Sequence, residues 1–197
     1  MKKHANEISL PNLDKIGNLI IYIVDGVKKK HHQKVYLTKL LKLLYIIDET
    51  SVKETGTPVT GLDYRVWKMG PVAYSVYKDL VHDEAEMLSS FAEVKKGDAE
   101  QKQIVAKNSF DDAEFSDFEM GLIDRVLGAY GHYQSDALIA LLHEDGSLWR
   151  KIVNEKHLDE AFAKENTSPY SIDLSQLIAG DPHKLELFKN AQESLNL

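Results

Sequence analysis

The chain contains no cysteine. That absence excludes a disulfide scaffold, a thiolate zinc site and a cysteine nucleophile, and it suits a reducing compartment. No run approaches the roughly 20 apolar residues that a membrane-spanning helix needs. The first residues, MKKHANEISLPN, are positively charged but lead into no apolar segment, so they do not predict a secretory signal. We therefore expect a cytoplasmic protein that does not enter a membrane.

The patterns of nucleotide-binding and hydrolytic sites are missing as well. There is no Gly-rich phosphate loop, no nucleophile elbow and no H-E-x-x-H pair. The nearest approaches to a metal or catalytic set are His82 with Glu86, and His143 with Glu144. Both groups fall at predicted helix ends, where histidine meets free carbonyls, and two ligands do not make a zinc site. We expect no enzyme, no metal and no cofactor, with a hydrolase using His143 and Glu144 as the remote alternative.

Charge is unevenly spread along the chain. Residues 1–48 carry nine Lys and four Asp or Glu, a net +5, whereas residues 49–197 carry fifteen Lys or Arg and twenty-seven Asp or Glu, a net −12; the sum is −7. Such a surface repels nucleic acid and favours a basic partner. The exception is the basic cluster at residues 28–34, KKKHHQK. It suits either a phosphate backbone or a solvated loop with cations at a helix C-terminus, and the second interpretation is favoured.

Helical periodicity dominates the pattern of apolar residues. The helix predicted at 36–53 is apolar on nearly every side, with a narrow polar strip of Lys39, Lys42 and Asp48. A helix of that kind is buried centrally, and Gly56 followed by Pro58 is a plausible stop. Shorter helices are predicted near residues 13–27, 72–80, 118–130, 135–142, 147–152, 157–164 and 185–197.

A small β element interrupts the helices. Residues 62–67 alternate apolar and polar as a short strand does, and residues 91–96 and 103–107 flank a turn as a hairpin does. Gly70-Pro71 predicts a break, with Pro71 in the first turn of the next helix. The fold class is therefore α+β, mainly α: a compact helical domain around a buried Leu-rich helix, with a small antiparallel β element. We place this domain at residues 1–165 and a C-terminal extension, packed or mobile, at 166–197.

Aromatic residues point to a protein-binding surface. Tyr and Trp dominate binding hot spots, and Trp67 falls out of phase with Tyr64, so it points to the other face of its strand. A Gly-Pro corner beside an exposed Trp makes a rigid anchor that loses little entropy on binding. We predict that the partner-binding residues are Tyr64, Trp67, Lys68, Met69, Gly70, Pro71 and Tyr74.

Four ordered motifs resemble those of the SocA-like antitoxin family, whose domain is called Panacea. They are the helix containing Lys42-Leu43-Leu44-Tyr45, the turn Gly56-Thr57-Pro58-Val59, the aromatic strand Tyr64-Arg65-Val66-Trp67 and Gly70-Pro71-Val72. Ser135, Leu138, His143 and Trp149 resemble a later motif, although Leu142 stands where the family often has Ser or Thr before the histidine. The resemblance covers about residues 13–155.

The resemblance implies a compact helical domain with a small β element and no catalytic residues. It implies an antitoxin that neutralises a co-encoded toxin by direct contact. One family member looks like an adaptor that hands its toxin to a ClpXP-type protease. The acidic excess suggests that the toxin, encoded by a neighbouring gene, is basic. The alternative is a DNA-associated regulator of its own operon, acting through residues 28–34, or a phage-related regulatory protein.

Overall fold

The computed structural model describes residues 10–82 and 87–195, and within these ranges it is a mainly α, α+β fold, as the sequence predicts. Short 3-10 helices lie at Met87–Ser90, Asp98–Glu100 and Leu174–Ile178. None of the described helices combines the length and the hydropathy needed to cross a membrane. The α-helices are α1 Leu10–His31, α2 Leu37–Thr55, α3 Tyr74–His82, α4 Asp117–Tyr130, α5 Ser135–Leu142, α6 Leu148–Glu155, α7 Leu158–Phe162 and α8 Pro182–Leu195.

Helix α2 lies at the centre of the hydrophobic core, which confirms the prediction of a buried Leu-rich helix. Its leucines and isoleucines are buried on all sides and contact α1, α4, α5 and α8. The helix ends where predicted, at Gly56, which adopts a left-handed φ of +85° and donates its N–H to the carbonyl of Val52. The polar strip is buried too, because Lys39, Lys42 and Asp48 are each at most 1% exposed.

One antiparallel sheet has three strands in the order β1–β5–β4. Strands β4, Ala92–Lys96, and β5, Lys102–Ala106, form the hairpin that the sequence predicts, with Val94 opposite Ile104. Strand β1, Val35–Tyr36, is only two residues long and pairs with the other side of β5. The hydrophobic faces of these strands pack against α1 and α2.

The second sheet corrects one prediction. Gly70 and Pro71 do not open a helix; β3, Gly70–Ala73, pairs antiparallel with β2, Tyr64–Trp67, and α3 begins only at Tyr74. Gly70 adopts a φ of +96°, a conformation that lets the chain reverse after the turn residues Lys68 and Met69. All four residues of β3 are buried, so they lack the alternation from which a strand is predicted.

Residues 166–172 run alongside β2. The N–H of Val66 donates to the carbonyl of Tyr170, and the N–H of Ile172 donates to the carbonyl of Tyr64. The bridge between Arg65 and Ser171 is antiparallel. Beyond this segment, Phe188 of α8 is buried in the same core as α2. The C-terminal residues that the structure describes are therefore packed against the helical domain.

The cap at Gly56 generates a prediction about stability. A Cβ at this position would lie 2.8 Å from the carbonyl oxygen of Lys184, in addition to the left-handed backbone. We expect Gly56→Ala to lower the free energy of unfolding by about 1–3 kcal/mol, measured by urea denaturation. Gly128→Ala is the matched control, because no atom lies within 4 Å of its new Cβ inside α4. That variant should gain up to about 1 kcal/mol, and equal stabilities would contradict the account.

Candidate partner-binding surface

Strands β2 and β3 form a hairpin, which is called the hairpin from here on, and the turn between them is its exposed tip. Lys68 and Met69 both face solvent, and Met69 is 50% exposed. The N–H of Lys68 donates to the carbonyl of Asn166 at 2.9 Å, so the turn is held from the side by the C-terminal segment. These two residues of the predicted set are directly available to a partner.

Trp67 and Tyr74 are half-buried rather than fully exposed. The Trp67 ring meets Tyr77 at 4.8 Å and Tyr74 at 6.3 Å between centroids, both in edge-to-face geometry. The Arg65 guanidinium lies 5.2 Å from the centre of the Tyr74 ring. Trp67 does point away from the face of Tyr64, as its phase predicts, but its neighbours cover part of the ring. These edge-to-face contacts hold the two rings in place at the surface.

Tyr64, Gly70 and Pro71, also predicted to bind a partner, lie in the interior. Tyr64 is 1% exposed and meets the Tyr45 ring edge-to-face at 5.1 Å. Tyr64 and Val66 alternate with Arg65 along β2, which puts Tyr64 on the covered face. These three residues therefore position the hairpin and do not themselves reach solvent.

Tyr170 is exposed beside β2, and sequence reasoning missed it. Tyr170 is 38% exposed and, like Met69 and Phe118, is a large hydrophobic side chain that faces solvent. Its carbonyl accepts from Val66, so Tyr170 lies beside β2. No local signal announces this pairing, because about a hundred residues separate the two segments. We call the exposed and half-buried side chains of the hairpin, Trp67, Lys68, Met69 and Tyr74, together with Tyr170 of the segment beside β2, the hairpin surface. Exposed apolar side chains of this kind make it a candidate interaction site.

Lys42 of α2 contacts the hairpin from the side that faces the core. Its ammonium donates to the carbonyl of Pro71 at 2.8 Å, although the side chain sits wholly in the core. Gly70 leaves room for this side chain, since a Cβ there would lie 3.2 Å from Cε of Lys42. Burial lowers the pKa of Lys42 to about 7, because the charged form is poorly solvated in the interior.

Trp149 and His143 support the other strand. Nε1 of Trp149 donates to the carbonyl of Trp67 at 2.8 Å, and His143 stacks on the Trp149 ring with centroids 3.6 Å apart. Burial, with the positive charges of Arg150 and Lys42, lowers the pKa of His143 to about 4. The imidazole is therefore neutral at pH 7. Among the described residues, none hydrogen-bonds to its buried Nε2 atom.

Asp48 fastens the start of β2. Its carboxyl group accepts from the N–H of Thr60 at 2.8 Å and from the Thr60 hydroxyl, and the Tyr64 hydroxyl lies 2.9 Å away. Burial raises the pKa of the Asp48 carboxyl group, while these hydrogen bonds oppose that shift. The hairpin is thus held by three buried polar side chains from two helices, Lys42, Asp48 and Trp149.

Of the two histidine–carboxylate groups considered as metal or catalytic sets, the structure describes only His143 with Glu144. Glu86 and the side chain of His82 lie outside the described residues. His143 faces Trp149, while Glu144 is exposed. Within residues 10–82 and 87–195, no three His, Cys, Asp or Glu side chains are grouped so that they could hold a metal ion.

The fold is a mainly helical domain with a hairpin held by buried polar side chains, and the resemblance motifs meet there: Lys42, His143 and Trp149 lie against the hairpin that contains Tyr64 and Gly70. A family model described as "Antitoxin SocA-like, Panacea domain" matches residues 40–150. That match spans more than half of the chain, and the protein belongs to this antitoxin-like family. Searches of curated proteins and of solved structures found no significant match.

The buried lysine generates a prediction about pH. Between about pH 7 and pH 10.5 the unfolded chain holds a proton on Lys42 that the folded chain lacks, so the free energy of unfolding rises with pH across this window. The rise is at most about 1.4 kcal/mol per pH unit. Lys42→Met should remove this contribution, measured as the difference between urea-denaturation curves of the two proteins from pH 6 to pH 10.

In both the wild type and Lys42→Met, Lys39 still makes the free energy of unfolding rise with pH, by a smaller amount. The reason is that burial lowers the pKa of Lys39 to about 8. The matched control is Lys68→Met, since this lysine is exposed at the turn. Its pH profile should follow the wild type. A Lys42→Met profile parallel to the wild type would show that Lys42 does not titrate in this window.

Proposed function

We propose that this protein is an antitoxin that neutralises a toxin encoded by a neighbouring gene, and that it binds the toxin directly through the hairpin surface. The observation that carries the proposal is the exposed Met69 at the turn of a hairpin held by buried polar side chains, with Tyr170 exposed in the segment that pairs with β2. Membership of the antitoxin-like family supports a protein toxin as the partner.

The geometry of the hairpin surface favours binding in two ways. Its backbone is held before any partner arrives, so little conformational freedom is lost on association. Its side chains are also of the right kinds: Trp67 and Tyr74 supply large areas with few torsions to freeze, and Met69 adapts to an irregular contact. A pocket for a small substrate is not needed for this mode of action.

Charge supports a basic toxin. The net charge of −12 over residues 49–197 creates a negative potential around most of the domain. Such a field accelerates encounter with a basic protein and suppresses wrong partners more than it strengthens the final complex. The association rate with the toxin should therefore fall as salt concentration rises.

The test is co-expression with the product of the adjacent gene. We expect growth to be restored by the wild type and lost with Met69→Asp or Tyr170→Asp, because a carboxylate placed in an apolar contact must be desolvated. In pull-down and titration experiments each substitution should cost 2 kcal/mol or more, about 30-fold in affinity, if these are hot-spot residues.

Phe118→Asp is the matched control. Phe118 is 48% exposed, as an aromatic side chain in the first turn of α4, and lies outside the hairpin surface. It should leave neutralisation intact. The proposed function fails if the neighbouring product is harmless alone and never co-purifies. The assignment of the surface fails if Phe118→Asp is as damaging as Met69→Asp.

Neutralisation can proceed by occlusion of the toxin or by delivery to a ClpXP-type protease, and the toxin's lifetime separates these routes. Under the adaptor route, toxin half-life in cells shortens when the antitoxin is present and recovers when the protease is deleted. Under simple occlusion, the toxin persists in an inactive complex. Met69→Asp should abolish either effect, because both begin with the same contact.

A further inference from the structure

A groove of about 930 Å³ lies between the last turns of α1 and strand β5. It shares no residue with the hairpin surface. Its apolar lining comes from Val24 and Val35 on one side and from Ile104, Val105 and Ala106 on the other. Its rim includes Lys28 and Lys29 from α1. A groove with an apolar floor and a charged rim is suited to a chain segment with side chains of both kinds.

Backbone groups of β5 face this groove. Lys107 donates to the carbonyl of Phe91, and Gly97 donates to that of Gln101, so the residues of β5 that bond to β4 are Gln103 and Val105. The alternate residues, Ile104 and Ala106, direct their N–H and C=O groups toward β1. Strand β1 pairs Val35 with Ile104 and extends no further in that direction. In the described part of the chain, Ala106 is therefore left without a strand partner on this side.

The lysines at the rim differ from their neighbours. Lys30 pairs with Asp124 at 2.6 Å, and Lys34 pairs with Asp98 at 3.1 Å. Lys28 and Lys29 are exposed and form no ion pair with any described residue. Asp25 is the one acidic residue that lines the groove. The groove is thus locally positive on a chain whose net charge is −7.

We propose that this groove binds an extended acidic segment of a partner protein, whose backbone pairs with β5 at Ala106 and whose carboxylates meet Lys28 and Lys29. Addition of a strand to an open sheet edge supplies main-chain hydrogen bonds, while flanking pockets and charges choose the sequence. A phosphate backbone would meet the same lysines. It would leave the apolar floor and the Ala106 peptide group without complementary partners.

The test uses the full chain and a fluorescent eight-residue peptide of alternating valine and glutamate. Fluorescence anisotropy should show saturable binding of this peptide. A valine–lysine peptide of the same length, and the valine–glutamate peptide with methylated backbone nitrogens, should each bind at least about tenfold more weakly. The first comparison tests charge, and the second tests the pairing of main-chain groups.

Lys28→Glu combined with Lys29→Glu should weaken binding of the acidic peptide about tenfold or more. The matched control is Lys95→Glu combined with Lys96→Glu, which reverses two exposed lysines on β4 in the same sheet. Its net charge changes by the same amount, and it should alter affinity less than about twofold. On peptide addition, the amide resonance of Ala106 should shift more than those of β4.

Several outcomes would overturn the proposal. One is the absence of saturable binding, and another is equal loss in the two double variants, which would indicate a general charge effect. Shifts confined to β4 would place the peptide on the other edge of the sheet. If a single-stranded oligothymidylate displaces the acidic peptide from Lys28 and Lys29 at equal or lower concentration, the groove is a nucleic-acid site instead.

Discussion

A helix that is buried on every side must find partners for the polar groups it brings into the core, and α2 brings Lys39, Lys42 and Asp48. Each one binds a different part of the chain. Lys39 donates to the carbonyl of Gly131 behind α4, Lys42 to that of Pro71 in β3, and Asp48 accepts from Thr60 before β2. The arrangement of loops around the core depends on these bonds. A buried charge without a partner would destabilise the fold by far more than one such bond stabilises it.

The need to pair buried polar groups also stabilises the β2–β3 hairpin. A two-stranded ribbon alone is marginally stable in water. Here Lys42 and Trp149 bind its carbonyls from the core side, and residues 166–172 add backbone hydrogen bonds along β2. These hydrogen bonds fix the backbone of the hairpin that carries the exposed Lys68–Met69 turn. Low stability is a common property of binding loops, whereas the contacts of this turn leave it little conformational freedom to lose.

Two surfaces of different chemistry follow from the fold. The hairpin surface is aromatic and apolar, on a domain whose residues after 48 are strongly acidic. The groove beside β5 has an apolar floor, and there the described residues give Ala106 no strand partner and give Lys28 and Lys29 no ion pair. Under the proposed function, contact with a toxin at the hairpin surface leaves the groove for a second segment, either of the same toxin or of another protein. The separation of the two lets each be altered without disturbing the other.

The motifs in the sequence were enough to predict the family. The buried helix α2, its end at Gly56 and the β4–β5 hairpin were predictable because each rests on contacts between residues close in the chain. The helix predicted at Pro71 was wrong, since a fully buried strand has no alternation to reveal it.

The sequence also did not predict that the site residue Tyr64 is buried, or that Tyr170 is exposed beside β2. Tyr64 is buried by its contacts with Tyr45 and Asp48 of α2, and Tyr170 lies beside β2 through pairing between segments about a hundred residues apart. Local pattern therefore determined the elements and their ends, and only tertiary packing decided which side chains face solvent. A side chain's exposure is set by whatever distant segment covers it.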